Sequence, residues 1–349
     1  MLNEKLSRWA RLIWVAFLPF GAEAHHSFAA TFDVEVIEEL EGEVVSVYWR
    51  NPHVLFTLQG TDDQGRAVTY EIESHSLSIM RRMDVSPDVL KVGDVVRVAG
   101  HPNRRTDNAM FVLNALLPGG KEIVFDPFGE PRWAENLGTT DIWQASQEDA
   151  VNEGTGIFRV WSTTFGEPGT FPFPEIFDPS LIDRYPLTDA AREALAEFNP
   201  LTDIPTLNCG KKGMPTIMEQ PYPMEIVDEG DTILLRMEEY EIVRTIHMND
   251  ARAGDEVPAS ALGYSVGHWE GDTLVVETTR LNWPHFNTVG IPLSEAAEVV
   301  ERFILDEEGT RLDLEMTVTD PATFLEPVLL TKFWLALPGI EVQSYECIE

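Results

Sequence analysis

Gly263-Tyr264-Ser265-Val266-Gly267-His268-Trp269-Glu270-Gly271-Asp272-Thr273-Leu274-Val275-Val276-Glu277-Thr278-Thr279 decides how the chain is read. It reads as a strand, a tight polar turn at Glu270-Gly271-Asp272 and a returning strand. In an extended chain Leu274, Val276 and Thr278 point one way, and Val275 and Glu277 the other. The sequence on either side repeats the pattern. Residues 223–228, 231–237, 240–248, 264–269, 273–279, 298–305, 311–319, 328–336 and 340–347 all read as strands. Turn chemistry separates them at Glu229-Gly230-Asp231, Asp306-Glu307-Glu308-Gly309 and Leu337-Pro338-Gly339.

Eight or nine antiparallel strands in sequence order leave two long edges unless the sheet closes. The expectation for 223–349 is therefore an antiparallel meander barrel of lipocalin-like kind, able to hold one small ligand. Upstream, residues 25–124 carry five shorter strand candidates, with a short helix at 76–83 between the third and fourth. That order is the pattern of an OB-like five-stranded barrel. Between the two, 125–222 is rich in Pro and Gly and poor in periodicity. It contains one strand candidate at 156–161 and one helix after Thr188, and its aromatics suit a segment that wraps the barrels. The fold class is thus mainly β, two barrels joined by an irregular segment.

The net charge of −34, from 25 basic and 59 acidic residues, repels phosphate backbones and argues against nucleic acid as a partner. Residues 1–24 read as a signal peptide. Lys5, Arg8 and Arg11 precede the apolar run 12–20, and Ala22-Glu23-Ala24 offers a cleavage site. The apolar run is too short to span a bilayer, and no later run is long enough. The expected location is periplasmic or secreted. In such a compartment Cys209 and Cys347 most simply form one disulfide, stabilising by about 4–5 kcal/mol in the chain-entropy model. The alternative, a redox or metal pair, has no close-spaced motif behind it.

Cleavage after Ala24 would expose the α-amine of His25 beside its own imidazole, a chelating pair suited to Cu(II). His26, His53 and His101 are candidates to complete such a copper site. In the second barrel, His247, His268 and Glu301 are the candidate catalytic groups, since a histidine beside a carboxylate can do acid–base work near neutral pH. Tyr240, Tyr264, Trp269, Glu277, Arg302 and Asp320 are the polar and aromatic groups available to line a ligand. Glu301 and Arg302 face opposite sides of their strand, so each needs a cross-strand partner. Phosphate loops, nucleophile elbows and close-spaced zinc motifs are absent from the sequence.

At His25-His26-Ser27-Phe28-Ala29-Ala30-Thr31-Phe32-Asp33, Trp49-Arg50-Asn51-Pro52-His53 and Lys91-Val92-Gly93-Asp94, the first half resembles a family of uncharacterised exported bacterial proteins. Gly213-Met214-Pro215, the stretch 263–279, Val300-Glu301-Arg302-Phe303, Thr319-Asp320-Pro321 and Tyr345-Glu346-Cys347 resemble a C-terminal module of similar secreted proteins. Asn249-Asp250 departs from the Asp-Gly of relatives. The resemblance implies export and no known activity.

Three readings follow. One is an exported protein holding a small apolar or amphipathic molecule in the second barrel. Another is an isomerase, lyase or hydrolase using a His–carboxylate pair in that cavity. The third is a copper-binding envelope protein built on His25.

Overall fold

Alternating apolar residues build the first barrel. The computed structural model describes residues 28–62, 64–83, 85–125, 129–134, 147–154, 156–163, 170–176, 178–199, 202–203, 206, 209–248 and 257–347. A short helix, α1 (Phe28–Thr31), precedes β1 (Glu38–Tyr48), β2 (Leu55–Thr61) and β3 (Ala67–Glu73). Helix α2 (Leu77–Arg82) separates these from β4 (Val95–Pro102), β5 (Ala109–Leu116) and the short β6 (Glu122–Val124). β1 lies antiparallel to both β2 and β4, and a parallel β3–β5 pairing closes the ring of five. This is the strand order of an OB-type barrel. Val44, Phe56, Leu58, Ile72, Val98 and Val112 fill it and are buried. Beside a β-bulge, Gly100 lets β4 approach β5 closely. A Cβ there would stand 2.2 Å from the Phe111 carbonyl oxygen.

After α3 (Gln147–Glu153), β7 (Val160–Ser162) and α4 (Asp189–Glu197), the second barrel is completed by β8 (Met224–Asp228), β9 (Thr232–Met237), β10 (Ile242–His247), β11 (Tyr264–Glu270), β12 (Thr273–Thr279), β13 (Glu298–Leu305), β14 (Arg311–Thr319) and β15 (Val328–Ala336). Nine strands close it among the described residues, in the order β10-β11-β12-β13-β14-β15-β7-β8-β9. The hairpin β11–β12 pairs from Tyr264↔Thr279 to Glu270↔Thr273.

Two details depart from a pure meander. β10 and β11 run parallel at Ile246↔Ser265 and His247↔Val266. The ninth strand is β7, from the irregular segment, rather than 340–347. β7 takes the free edge of β15 at Leu335↔Ser162 and Ala336↔Trp161, so the tail is displaced. Residues 340–347 run extended to the first barrel, where Cys347 bridges to Asn51.

The cylinder is filled. Period-2 alternation turns Ile242, Arg244 and Ile246 of β10 inward, with Val299, Glu301 and Phe303 of β13 and Leu330, Lys332 and Trp334 of β15. A 3-10 turn, Thr216–Glu219, plugs it. The Lys332 ammonium donates to the Met218 and Gln220 carbonyls at 2.9 and 2.8 Å, and the Met218 sulfur lies 3.9 Å from Arg244 Nη1. Lys212 braces the plug through ion pairs to Glu219 and Glu239, both at 2.9 Å.

Helix α2 ties the barrels together. Arg81 pairs with Glu238 at 2.8 Å, and buried Arg82 donates to the Ser162 hydroxyl at 2.5 Å. A disulfide joins Cys209 to Cys347. No helix among the described residues is long and apolar enough to cross a membrane.

Candidate functional site

The structure does not bring His247, His268 and Glu301 together. Strand parity decides this. Ile246 and Gly267 take the inward positions, so His247 and His268 point out of the second barrel. His247 stacks on Tyr264 with ring centroids 4.6 Å apart, and His268 faces Glu270 at the exposed surface, 3.4 Å away. Glu301 points in and is fully buried. It accepts from Arg244 Nη1 at 2.9 Å and also from Nη2, while Arg244 donates to Thr278 and Ser265 at 2.8 and 3.2 Å. A carboxylate held this way is a structural counter-ion rather than a base awaiting a proton.

The proposed ligand-lining groups scatter as well. Trp269 lies exposed on the outside, edge-on to Phe158. Arg302 pairs with Glu270 at 2.9 Å, and Glu277 faces outward beside the inward Val276. Asp320 caps the Ser294 backbone at 2.8 Å and accepts the Thr323 hydroxyl at 2.7 Å. Tyr240 is buried outside the strand ladder, with its ring 5.0 Å from Tyr345. A groove of 620 Å³ is lined by Phe171, Pro174 and Tyr185 and by β15 from Val328 to Thr331.

Titratable groups do converge on the first barrel, at the C-terminal end of β3. Val54, between β2 and His53, donates its amide to the His75 carbonyl at 3.0 Å, and the Ser74 amide returns a bond to Val54 at 2.9 Å. His53 and His75 thus come from neighbouring chain segments. Glu73, two residues before His75, shares its face of the strand. The Glu73 carboxylate lies 2.5 Å from His53 Nδ1. His75 is half-buried, its ring edge-on to Phe111 at 5.0 Å and its Nε2 shielded from solvent. It bonds the Phe125 carbonyl. Its Nε2 has no hydrogen-bond partner among the described residues.

Burial holds the His75 pKa down to about 4, and the nearby charge of His53 adds to the depression. At neutral pH His75 is therefore a neutral imidazole, with a lone pair on one ring nitrogen. That is the state in which histidine binds metals.

The first described residue lies close to the aromatic that His75 touches. Phe28 packs edge-on to the same Phe111, with ring centroids 4.9 Å apart. His25 and His26 lie outside the described residues. His101 is turned elsewhere, its Nδ1 on the Val36 carbonyl at 2.8 Å. Among the described residues no group of three or more His, Cys, Asp or Glu side chains forms a metal-holding cluster. His53 and His75 would accordingly need a further donor.

Sequence reading missed His75. The usable signal was its place just beyond the end of β3, two residues after Glu73. Its packing against Phe111 is a tertiary matter.

The chain is therefore a mainly β protein of two closed barrels, the first with an imidazole–carboxylate cluster on its outer face. Residues 14–110, which span that cluster, match the model of a family of unknown function, DUF6152. No curated protein matches the chain.

Proposed function

We propose that this is an exported metal-binding protein whose site is the His53–Glu73–His75 cluster of the first barrel. The observation that carries the reading is His75 itself, a half-buried imidazole whose Nε2 is shielded from solvent and has no hydrogen-bond partner among the described residues. A buried nitrogen left without a partner is costly unless something occupies it. Glu73 on His53 Nδ1 supplies the carboxylate–imidazole arrangement that orients a metal-binding ring and raises its basicity. His53 would then bind through Nε2.

The donor set favours Cu(II), which prefers tetragonal nitrogen ligands. The third donor is the amine and imidazole of His25, at the N-terminus left by cleavage after Ala24. Two residues, His26 and Ser27, separate His25 from Phe28, and three Cα–Cα steps reach roughly 10 Å. Export is supported by the basic, apolar and small-residue pattern of residues 1–24 and by the disulfide.

Cu(II) titration of the mature chain tests the reading. One equivalent should bind, with loss of that equivalent in His75→Ala and His53→Ala and in a chain carrying one extra residue before His25. Uptake indifferent to His75→Ala would overturn the site. Indifference to the added residue alone would remove His25 from it.

A second reading, binding of a small amphipathic molecule, is favoured by the 620 Å³ groove along the start of β15. An apolar anion such as 8-anilinonaphthalene-1-sulfonate should bind there and be excluded by Thr331→Trp. Binding untouched by that substitution would sink it.

A further inference from the structure

Given the metal site proposed above, we infer that the Cys209–Cys347 disulfide sets its affinity, acting through Asn51 as a positioning residue. Asn51 is completely buried, and both ends of its side-chain amide are in use. Oδ1 accepts from the backbone of Leu77 at 3.0 Å, at the start of α2 and two residues after His75. Nδ2 donates to the Tyr345 carbonyl, two residues before Cys347, and the backbones of Asn51 and Cys347 form a β-bridge. His53 follows Asn51 by two residues, across the stiff Pro52. One buried amide therefore fixes the segment carrying His53, the segment leaving His75, and the C-terminal tail.

The tail itself is held by few hydrogen bonds and by the buried Tyr345 side chain. Beyond the bridge at Cys347 it makes no strand ladder among the described residues. Its other contacts are Gln343 on Glu238 at 3.2 Å, Ser344 on Glu241, and the Tyr345 ring between Tyr222 and Tyr240. The covalent tie at Cys347 fixes the segment that follows Tyr345 and carries its carbonyl against Asn51. Without it, Asn51 Nδ2 loses its acceptor in a buried setting, and the loop before His53 must rearrange to find another.

The bridge is also open to exchange. Both cysteines are half-buried rather than enclosed. Cys209 and Glu346 sit at φ 55° and 38°, in the left-handed region that non-glycine residues adopt at a cost. The reductant would be an external dithiol. One of its thiolates attacks a bridge sulfur, forming a mixed disulfide, and the other cysteine leaves as a thiolate and takes up a proton. The second thiol of the reductant then resolves the mixed disulfide. Two electrons and two protons pass to the cysteines, and the reductant becomes a disulfide. Bridged protein holds the metal, and reduced protein releases it.

Zn(II), which has no redox chemistry of its own, is the probe. Its affinity would be measured for the mature wild type, for Cys209→Ser/Cys347→Ser and for Asn51→Ala with the disulfide intact. Each variant should bind about 10–100-fold more weakly, the range seen when groups that orient metal ligands are removed. Far-UV circular dichroism checks that the barrels remain. Asn51→Ala keeps the test decisive should the serine variant lose its fold. Diethyl pyrocarbonate labelling, read by mass spectrometry, gives a metal-free readout. His75 should be protected in the wild type and modified in both variants. Zn(II) binding abolished by His75→Ala but indifferent to all these changes would leave the metal site standing and overturn the coupling. A wild type that binds no Zn(II) would remove the metal reading, and the coupling would then stand or fall on the labelling of His75.

Discussion

The two barrels solve the same closure problem at different widths, and their polar groups end up on opposite sides of the wall. Five strands enclose a space that Val44, Phe56, Leu58, Ile72 and their neighbours fill, so no charge is needed inside. The ionisable cluster of that barrel, His53, Glu73 and His75, lies on the outer face, with His75 against Phe111. Nine strands enclose a wider cylinder than small apolar side chains can fill. Its centre is taken by long polar side chains, Arg244 and Lys332, by Glu301 as counter-ion and by the 3-10 plug. The histidines of the second barrel are left outside. A polar residue deep in a wide barrel is thus a filler that must be satisfied. A polar residue buried on the outside of a narrow one has no packing reason to be there.

The contrast breaks most readily at Glu301. Glu301→Ala leaves Arg244 charged, buried and unpaired, and should cost about 3–5 kcal/mol in chemical denaturation. Replacing both partners by methionine should recover most of that loss. Equal damage from the single and double changes would mean that the pair does more than fill space.

The next effect belongs to the first barrel and to pH. Unfolded His75 takes up its proton near pH 6.5, and folded His75 near 4. Between those values the unfolded chain binds more protons. The contribution is therefore intact above pH 6.5 and is lost as pH falls toward 4, by on the order of 3 kcal/mol. Urea denaturation of the wild type and His75→Leu at both pH values isolates it. The variant should lack that share of the pH dependence.

Bound metal sharpens the comparison further. Cu(II) at a hundredfold excess over its dissociation constant should raise wild-type stability by about 2.7 kcal/mol, with no shift in His75→Leu. The smallest effect is on the outside of the second barrel. His268→Ala removes an exposed contact with Glu270 and should change stability by less than about 0.5 kcal/mol.

Much of this architecture was legible in advance, and particular residues show why. The run 311–319 alternates so regularly that its strand, its inward face and its pairing with β13 follow from period 2 alone. Thr188 announces α4 as an N-cap, and its hydroxyl accepts from the Ala191 amide at 3.1 Å. Residues 340–347 show the limit. They alternate like a strand, but β7 already occupies the edge of β15 that they would need. The site shows the same limit. Glu301 could be named as a residue needing a partner. Arg244 could be named as that partner only once β10 and β13 faced each other across the cylinder.

By itself, the sequence determined the local things: which segments extend, where they turn, which side chains share a face, and that the two cysteines make a pair. These depend on backbone geometry and short-range chemistry, which a linear string records. The tertiary structure decided which polar residues lost water and what they met instead. Arg244 found Glu301, Asn51 joined the tail to the segments around both histidines, and His75 was left with a bare nitrogen. Desolvation depends on everything packed around a group, and its neighbours here lie tens to hundreds of residues away along the chain.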